Sequence, residues 1–387
     1  MDFTFTQKEE MFRKMVQMFV QRELAPRGKE LANLDHVPWD IIKRMGDMGF
    51  FGLGVPEKYG GQPASAVMIG IAFEELCRTG NIVGAGPLGT PLGNNLLLAN
   101  FGTEEAKEEW LASLIKGEKL GCVALTEPGC GSDAAAITTR AVRDGDSYII
   151  NGEKTSISFG LQAHVTAMFV KTDPKAGAKG VTCLLCPLDL PGITRSKFTD
   201  MGWLQTGRAS LVFDGVRVPA KYRLGEEGQG FYVAMGLFDE MLRVVSGLGP
   251  LTWAQVALEQ AMAYAAQRTA FGKPLAKWEG VSSKIAEGAT MIEAARWLCY
   301  RALWLKDQGQ RNTKEAAMVK FWCPKVAVQV IHDALLIHGH TGYSDEYPIQ
   351  QMLRDAIGFE LADGTAEIMK IIIARELMGR VAVPYAP

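Results

Sequence analysis

Apolar residues recur at three- and four-residue intervals through EMFRKMVQMFVQREL, residues 10–24, and Thr6 and Glu9 have the spacing of a capping box just before them. The pattern predicts a helix that begins at Thr6 and stops at Pro26. Similar spacing predicts further helices over 38–48, 64–80 and 103–116, with glycine- and proline-bearing breaks between them, GAGPLGTPLGNN at 84–95 among these. Beyond about residue 120 the period shortens. AITTRAVRDGDSYIINGEKTSIS holds two turn dipeptides, Asp144-Gly145 and Asn151-Gly152, between β-favouring residues. HVTAMFVKTD, GVTCLLCPL and SLVFDGVRVP read as further strands, which together predict an antiparallel sandwich or barrel. From about 229 the helical period returns in LTWAQVALEQAMAYAAQR, SSKIAEGATMIEAARWLCYRALWLKDQGQ and EAAMVKFWCPKVAVQVIHDALLIHG, broad apolar helices suited to a bundle. The expected organisation is a helical domain over 1–119, a β-domain over 120–228 and a helical bundle over 229–387, an α+β multidomain fold.

The length of 387 residues accommodates two or three domains, and the 48% apolar and 22% charged content is that of a soluble globular chain. Net charge is −2, from 41 basic and 43 acidic residues, which supplies no field for nucleic acid or an anionic membrane. No apolar stretch is long enough to span a bilayer, and the opening MDFTFTQKEEMFRK lacks the basic-then-apolar order of an export signal. A bacterial cytoplasm is the expected compartment, and a processed form in an organellar matrix would look the same. Seven cysteines, an odd number in apolar surroundings, read as packing residues. Cys183 and Cys186 form a CxxC, but inside a strand, without a helix N-terminus to activate a thiol or a second CxxC to complete a zinc set.

No GxGxxG follows a strand pattern, and GxxxxGK[ST], GxSxG and HExxH do not occur, so Rossmann dinucleotide binding, P-loop, α/β-hydrolase and zincin chemistry lack support. His338 and His340 lie close together without an acidic or cysteine partner nearby, so a helix-end loop is expected there and no metal site. ALTEPGCGSD, residues 124–133, is more informative: Gly129 and Gly131 permit close backbone approach, and Thr126 and Ser132 offer hydroxyls to a planar heterocycle or a phosphate. Taken alone, the stretch reads better as a Gly/Pro turn between strands.

It does not stand alone. VPEKYGG at 55–61 precedes it, and RTAFGKPL at 268–275, HGHTGYSDEYP at 338–348 and ADGTAEI at 362–368 follow it, in the order and spacing of one family. The chain resembles the acyl-CoA dehydrogenases, flavoenzymes that oxidise a CoA thioester to its α,β-unsaturated form. The resemblance implies the same helical, β and four-helix-bundle domains, a homotetramer, FAD between the β-domain and the bundle, and an electron-transferring flavoprotein as acceptor. It assigns Val123, Leu125, Thr126, Gly131 and Ser132 to the flavin and its pyrophosphate, Ser158 to the flavin N5, and Ser156 to the flavin edge. Arg268, with Phe271 beside it, corresponds to the arginine that grips FAD of an adjacent subunit; Leu336, Gly339, His340, Thr365 and Glu367 complete the cofactor set. Ser132, Asp239, Arg243 and Gly364 fall to the substrate, and Asp363 to the base that removes the α-proton. A helix-capping aspartate ahead of TAEIMKIII is the structural alternative for Asp363.

Several positions depart from the family pattern. Asp363 replaces a glutamate, one methylene longer, and Met241 occupies the place on the first bundle helix where some members carry the base instead. Glu240, one step away, is turned about 100° from that direction. Leu242 stands where an arginine is common, with Arg243 one step on; Ser156 replaces an aromatic and His340 a glycine. Small residues at 84–95 and the shortened base suggest room for a branched or alicyclic acyl group. Rival readings are a flavin oxidase of the nitroalkane oxidase kind, a CoA-thioester desulfinase or reductase, and a non-catalytic flavin-binding relative.

Overall fold

The computed structural model describes residues 4–237 and 241–382. Helix α1, Gln7–Phe19, starts at the expected capping box: Thr6 Oγ accepts from Glu9 N at 3.3 Å, and Thr6 N donates to Glu9 Oε2 at 2.7 Å. Pro26 does not end the run. The chain passes through a π turn, Val20–Leu24, and a 3-10 turn, Ala25–Arg27, where a missing N–H leaves few bonds unmade, and continues as α2, Gly28–Ala32. Helices α3 (Trp39–Asp47), α4 (Ala66–Cys77) and α6 (Glu104–Ile115) occupy three expected spans. Between α4 and α6 lies a correction: residues 84–95 are not a loop but the middle of α5, Ile82–Phe101, with Pro87 and Pro91 inside it. Burial outweighs the lost donors. Leu88, Leu92, Leu97 and Leu98 are all buried, Asn94 Oδ1 accepts from Ala167 N at 3.0 Å, and Asn95 Nδ2 donates to Phe51 O at 3.1 Å.

The β zone contains β1 (Gly121–Ala124), β2 (Arg140–Asp144), β3 (Ser147–Ile157), β4 (Val165–Lys171), β5 (Val181–Pro187), β6 (Ile193–Lys197), β7 (Ala209–Pro219) and β8 (Arg223–Leu224). They form one sheet in the order β6-β7-β3-β2-β4-β5-β8, with β1 added on β4. The ladder is antiparallel except at β4, which runs parallel to β1 and meets β2 in parallel at Arg140 and Lys171. Every residue of β4 and β5 is buried, as near-continuous apolar runs require. Asp144-Gly145 makes the expected hairpin between β2 and β3, with Gly145 at φ 61°. Asn151-Gly152 instead makes a bulge within β3, where Gly152 has φ 146° and a Cβ would sit 2.7 Å from Thr139 Cα. Cys183 and Cys186 lie inside β5, and burial pushes both thiols well above their ordinary range.

Helix α7 spans Gly230–Leu237, α8 Arg243–Gln267, and a short hairpin of β9 (Thr269–Ala270) and β10 (Lys273–Pro274) leads to α9, Glu279–Asp307. Then come α10 (Thr313–His338), α11 (His340–Tyr343), α12 (Ile349–Leu361) and α13 (Ala366–Met378). By contacts the chain groups into two compact units. The first comprises the segment up to Asn33, Ala66–Ala85 and the residues from Met241 onward; in it α10 packs against α8, α9, α12 and α13. Its buried α4 is tied down by Asp307, which accepts from Ala66 N at 2.7 Å and Val67 N at 3.0 Å, and by Glu74, which accepts from Arg296 Nε at 2.6 Å. The second unit holds α3, most of α5, α6, the sheet and α7.

Candidate active-site residues

In the first unit the site is built at the α12–α13 connection. Ala362 N closes α12 on Gly358 O, and Ala362 itself is extended. The chain then reverses through two left-handed residues, Asp363 at φ 54° and Gly364 at φ 101°, before Thr365 starts α13. Aspartate is among the few non-glycine residues that accept this backbone. Thr365 is the cap, its Oγ accepting from Ile368 N at 3.4 Å, so capping does not explain Asp363.

The Asp363 carboxylate turns toward α8 and α10. Ser246 Oγ, buried on α8, donates to Asp363 Oδ2 at 2.5 Å. Two buried cations act on it: Lys320 on α10, 1% exposed, and Arg243 at the start of α8, 5% exposed. Lys320 Nζ also donates to Phe359 O near the end of α12. Part of Asp363 keeps contact with solvent, yet desolvation at its carboxyl is the largest influence and raises it above the ordinary value, against the Ser246 hydrogen bond and the attraction of Lys320 and Arg243. Burial likewise draws Lys320 down to about 8 and Arg243 to about 10, both opposed by the Asp363 charge. The result is a desolvated carboxylate beside fixed positive charge, chemically suited to taking a proton from a weak carbon acid.

The second unit carries the other chemistry-bearing group. Val123 on β1 and Leu125 and Thr126 after it are half-buried, while Gly131 and Ser132 are exposed. Thr126 O accepts from Thr155 N at 2.9 Å, which brings this loop beside the end of β3, where Ser156 (φ 60°) and Ser158 lie. A buried pair fixes the loop: Lys154 Nζ, fully buried, donates to Glu127 Oε1 at 2.7 Å and to Leu125 O at 3.0 Å. Glu127 also accepts from Thr138 N, Thr138 Oγ and Thr139 N at 2.6, 2.8 and 2.9 Å. Burial works against both charges, but Lys154 and these donors outweigh it and hold the Glu127 carboxyl at about 2. Cβ atoms at Gly129 and Gly131 would meet open space, with only Thr126 Cγ2, at 3.9 Å, near the latter. Open backbone flanked by the hydroxyls of Thr126, Ser132 and Ser158 fits the amide edge of an isoalloxazine and a pyrophosphate.

The remaining expected site residues are dispersed over the first unit. Arg268 is exposed just beyond α8, and Phe271, 93% exposed at φ 51°, tips the β9–β10 hairpin. Leu336 is exposed in the last turn of α10, Gly339 (φ 62°) ends that helix, and exposed His340 starts α11. The neighbouring His338 is buried, its Nδ1 2.8 Å from Ala334 O and its ring stacked on Tyr264. Glu367, exposed in the first turn of α13, pairs with Lys370 at 2.9 Å. Asp239 and Glu240 lie outside the described residues; Met241 and Leu242 are buried. Sequence reasoning missed Ser246, Lys320, Lys154 and Glu127 as parts of these groups. The available signal was a lysine inside an otherwise apolar helical stretch, AAMVKFW, and another inside a strand.

Helices, then a sheet bearing a hydroxyl-lined open loop, then helices with a desolvated carboxylate define a three-part α+β class of protein. Family models for the acyl-CoA dehydrogenase N-terminal, middle and C-terminal domains match residues 6–118, 122–216 and 228–378. The chain belongs to the acyl-CoA dehydrogenase family, oxidoreductases acting on CH–CH bonds. It is 38% identical to an acyl-CoA dehydrogenase of Bacillus subtilis over 97% of this chain and 99% of that one. It is also 38% identical to an acryloyl-CoA reductase (NADH) of Anaerotignum propionicum, over 98% and 97%. Among solved structures, butyryl-CoA dehydrogenase from Megasphaera elsdenii superposes with a TM-score of 0.93 at 35% identity, covering 98% of this chain and all of that one. Among the described residues no helix is long and apolar enough to cross a membrane.

Proposed function

We propose that this protein carries out FAD-dependent α,β-dehydrogenation of an acyl-CoA thioester with Asp363 as the base. The observation that carries this reading is the Asp363 carboxylate itself: desolvated, raised above its ordinary pKa, and flanked by Ser246, Lys320 and Arg243. An α-proton of a thioester is a very weak acid, so its acceptor gains from a dry site that strengthens the base. FAD, when bound, supplies the acceptor for the β-hydride. Val123, Leu125, Thr126, Gly131, Ser132, Ser156 and Ser158 would hold its ring and pyrophosphate, with the Lys154–Glu127 pair keeping the Leu125 carbonyl in place. Arg268, Phe271, Leu336, Gly339, His340, Thr365 and Glu367 complete the cofactor set in this reading, and Ser132, Asp239, Arg243 and Gly364 serve the substrate. Domain limits at 119 and 228, a homotetramer, an electron-transferring flavoprotein as acceptor and a bacterial cytoplasmic setting belong to the same proposal and follow the family pattern.

The acyl group is a branched or alicyclic one. Gly89 on α5 and Gly236 on α7 have no atom within 4 Å of where a Cβ would stand, so these helices leave space that larger residues would fill. Anaerobic titration with straight, branched and cyclic acyl-CoAs should bleach the flavin fastest with the branched or cyclic members; bleaching confined to straight chains would remove this assignment. A second reading, reduction of an α,β-unsaturated thioester, is supported by the 38% identity to an acryloyl-CoA reductase (NADH) over nearly the whole of both chains. Reoxidation of the reduced flavin by enoyl-CoA against acyl-CoA-driven bleaching separates the two directions.

A further inference from the structure

A base one methylene short of glutamate must be held in place, since misplacement of a catalytic group by about 1 Å costs on the order of a hundredfold in rate. Two features of this chain act on that problem. The left-handed backbone at Asp363 (φ 54°) sets the direction of the side chain. Ser246 Oγ, 2% exposed and therefore shielded from competing water, grips Oδ2 at 2.5 Å.

We infer that Ser246 is a positioning residue for Asp363, its hydroxyl fixing one carboxylate oxygen so that Oδ1 is presented as the proton acceptor. The inference rests on the reading of Asp363 as the base. An aspartate has two side-chain torsions, and a short bond to one oxygen sets both of them at once. Other groups around the carboxylate are less directional. Lys320 from α10 and Arg243 from α8 act on it by charge, while Glu360 from α12 and Arg375 from α13 act in turn on Lys320 and on Arg243. The hydrogen bond from Ser246 is the largest influence that lowers the Asp363 pKa against burial, so its loss should raise that pKa further.

The test uses the FAD-loaded enzyme with its best acyl-CoA. Ser246→Ala should lower kcat about tenfold while KM changes less than about twofold, and should move the acid limb of the pH–rate profile upward. Ser246→Thr, which keeps the hydroxyl, should restore the limb. Should the alanine variant fail to fold, Ser246→Cys, close in size and a far weaker donor, takes its place with the same expected outcome. Unchanged kcat and an unmoved limb in the hydroxyl-free variant overturn the role of Ser246. Asp363→Asn distinguishes the two levels: if it stays active the base assignment fails, whereas an inactive Asp363→Asn with an unaffected Ser246→Ala sinks only the positioning role.

Discussion

Two desolvated carboxylates, Glu127 in the loop after β1 and Asp363 at the α12–α13 connection, each lie near a buried lysine, and their pKa values shift in opposite directions. Glu127 accepts four hydrogen bonds, from Lys154, Thr138 (twice) and Thr139, and settles at about 2. Among the described residues Asp363 accepts one, from Ser246, and burial lifts it above its ordinary value although Ser246, Lys320 and Arg243 all pull it down. A lysine bonded directly to the carboxylate, acting by charge and by hydrogen bond with the threonine donors beside it, separates a finished structural ion pair from a carboxylate left basic.

Removing the charge is the severest way to break the comparison. Asp363→Asn should lower the rate of anaerobic flavin reduction by roughly 10²–10⁴-fold with FAD still bound, read by stopped-flow absorbance. Removing the matching lysine from the other group should damage stability and not the chemical step. Lys154→Met leaves Glu127 buried without its counter-ion, and a cost of about 3–5 kcal/mol is expected in denaturant titration, along with weaker flavin retention.

A smaller effect separates the two acids by pH. Glu127 is depressed from 4.5 to about 2, so its stabilising contribution is complete above about 4.5 and is lost as pH falls toward 2. Asp363 is raised from 3.8, so its contribution is complete below 3.8 and is lost as pH rises through its folded value. Asp363→Asn should therefore gain melting temperature relative to the native chain at pH 7, and the gain should shrink as pH drops to 4. Equal gains at both values would mean that the carboxylate is not held at a desolvation cost. The mildest change is Thr365→Ala, which removes the α13 cap and should cost about 1 kcal/mol by thermal melt.

Much of the fold was legible because periodicity is local. The capping box at Thr6, the change of period near 120 and the long helices after 243 all follow from neighbours within a few residues. Asp363 drew notice through its Gly-Thr context and the family pattern it resembles. What escaped depends on distant partners. Residues 84–95 carry the prolines and glycines of a loop, but the surfaces that bury Leu88 and Leu92, and the partners of Asn94 and Asn95, come from elsewhere in the chain. Asn151-Gly152 has the composition of a turn and serves as a bulge because β3 pairs with β7 on both sides of it. Ser246 and Lys320 are ordinary residues in helices until Asp363, far along the chain, gives each something to act on.

The contact grouping also bears on how the chain matures. Neither unit is a contiguous stretch: the helices up to Asn33 and the segment Ala66–Ala85 belong with residues beyond Met241, made last. During synthesis α4, which packs on α1, must wait for α8 and α9 to leave the ribosome before its other partners exist, so the first unit closes only when the end of the chain has been made.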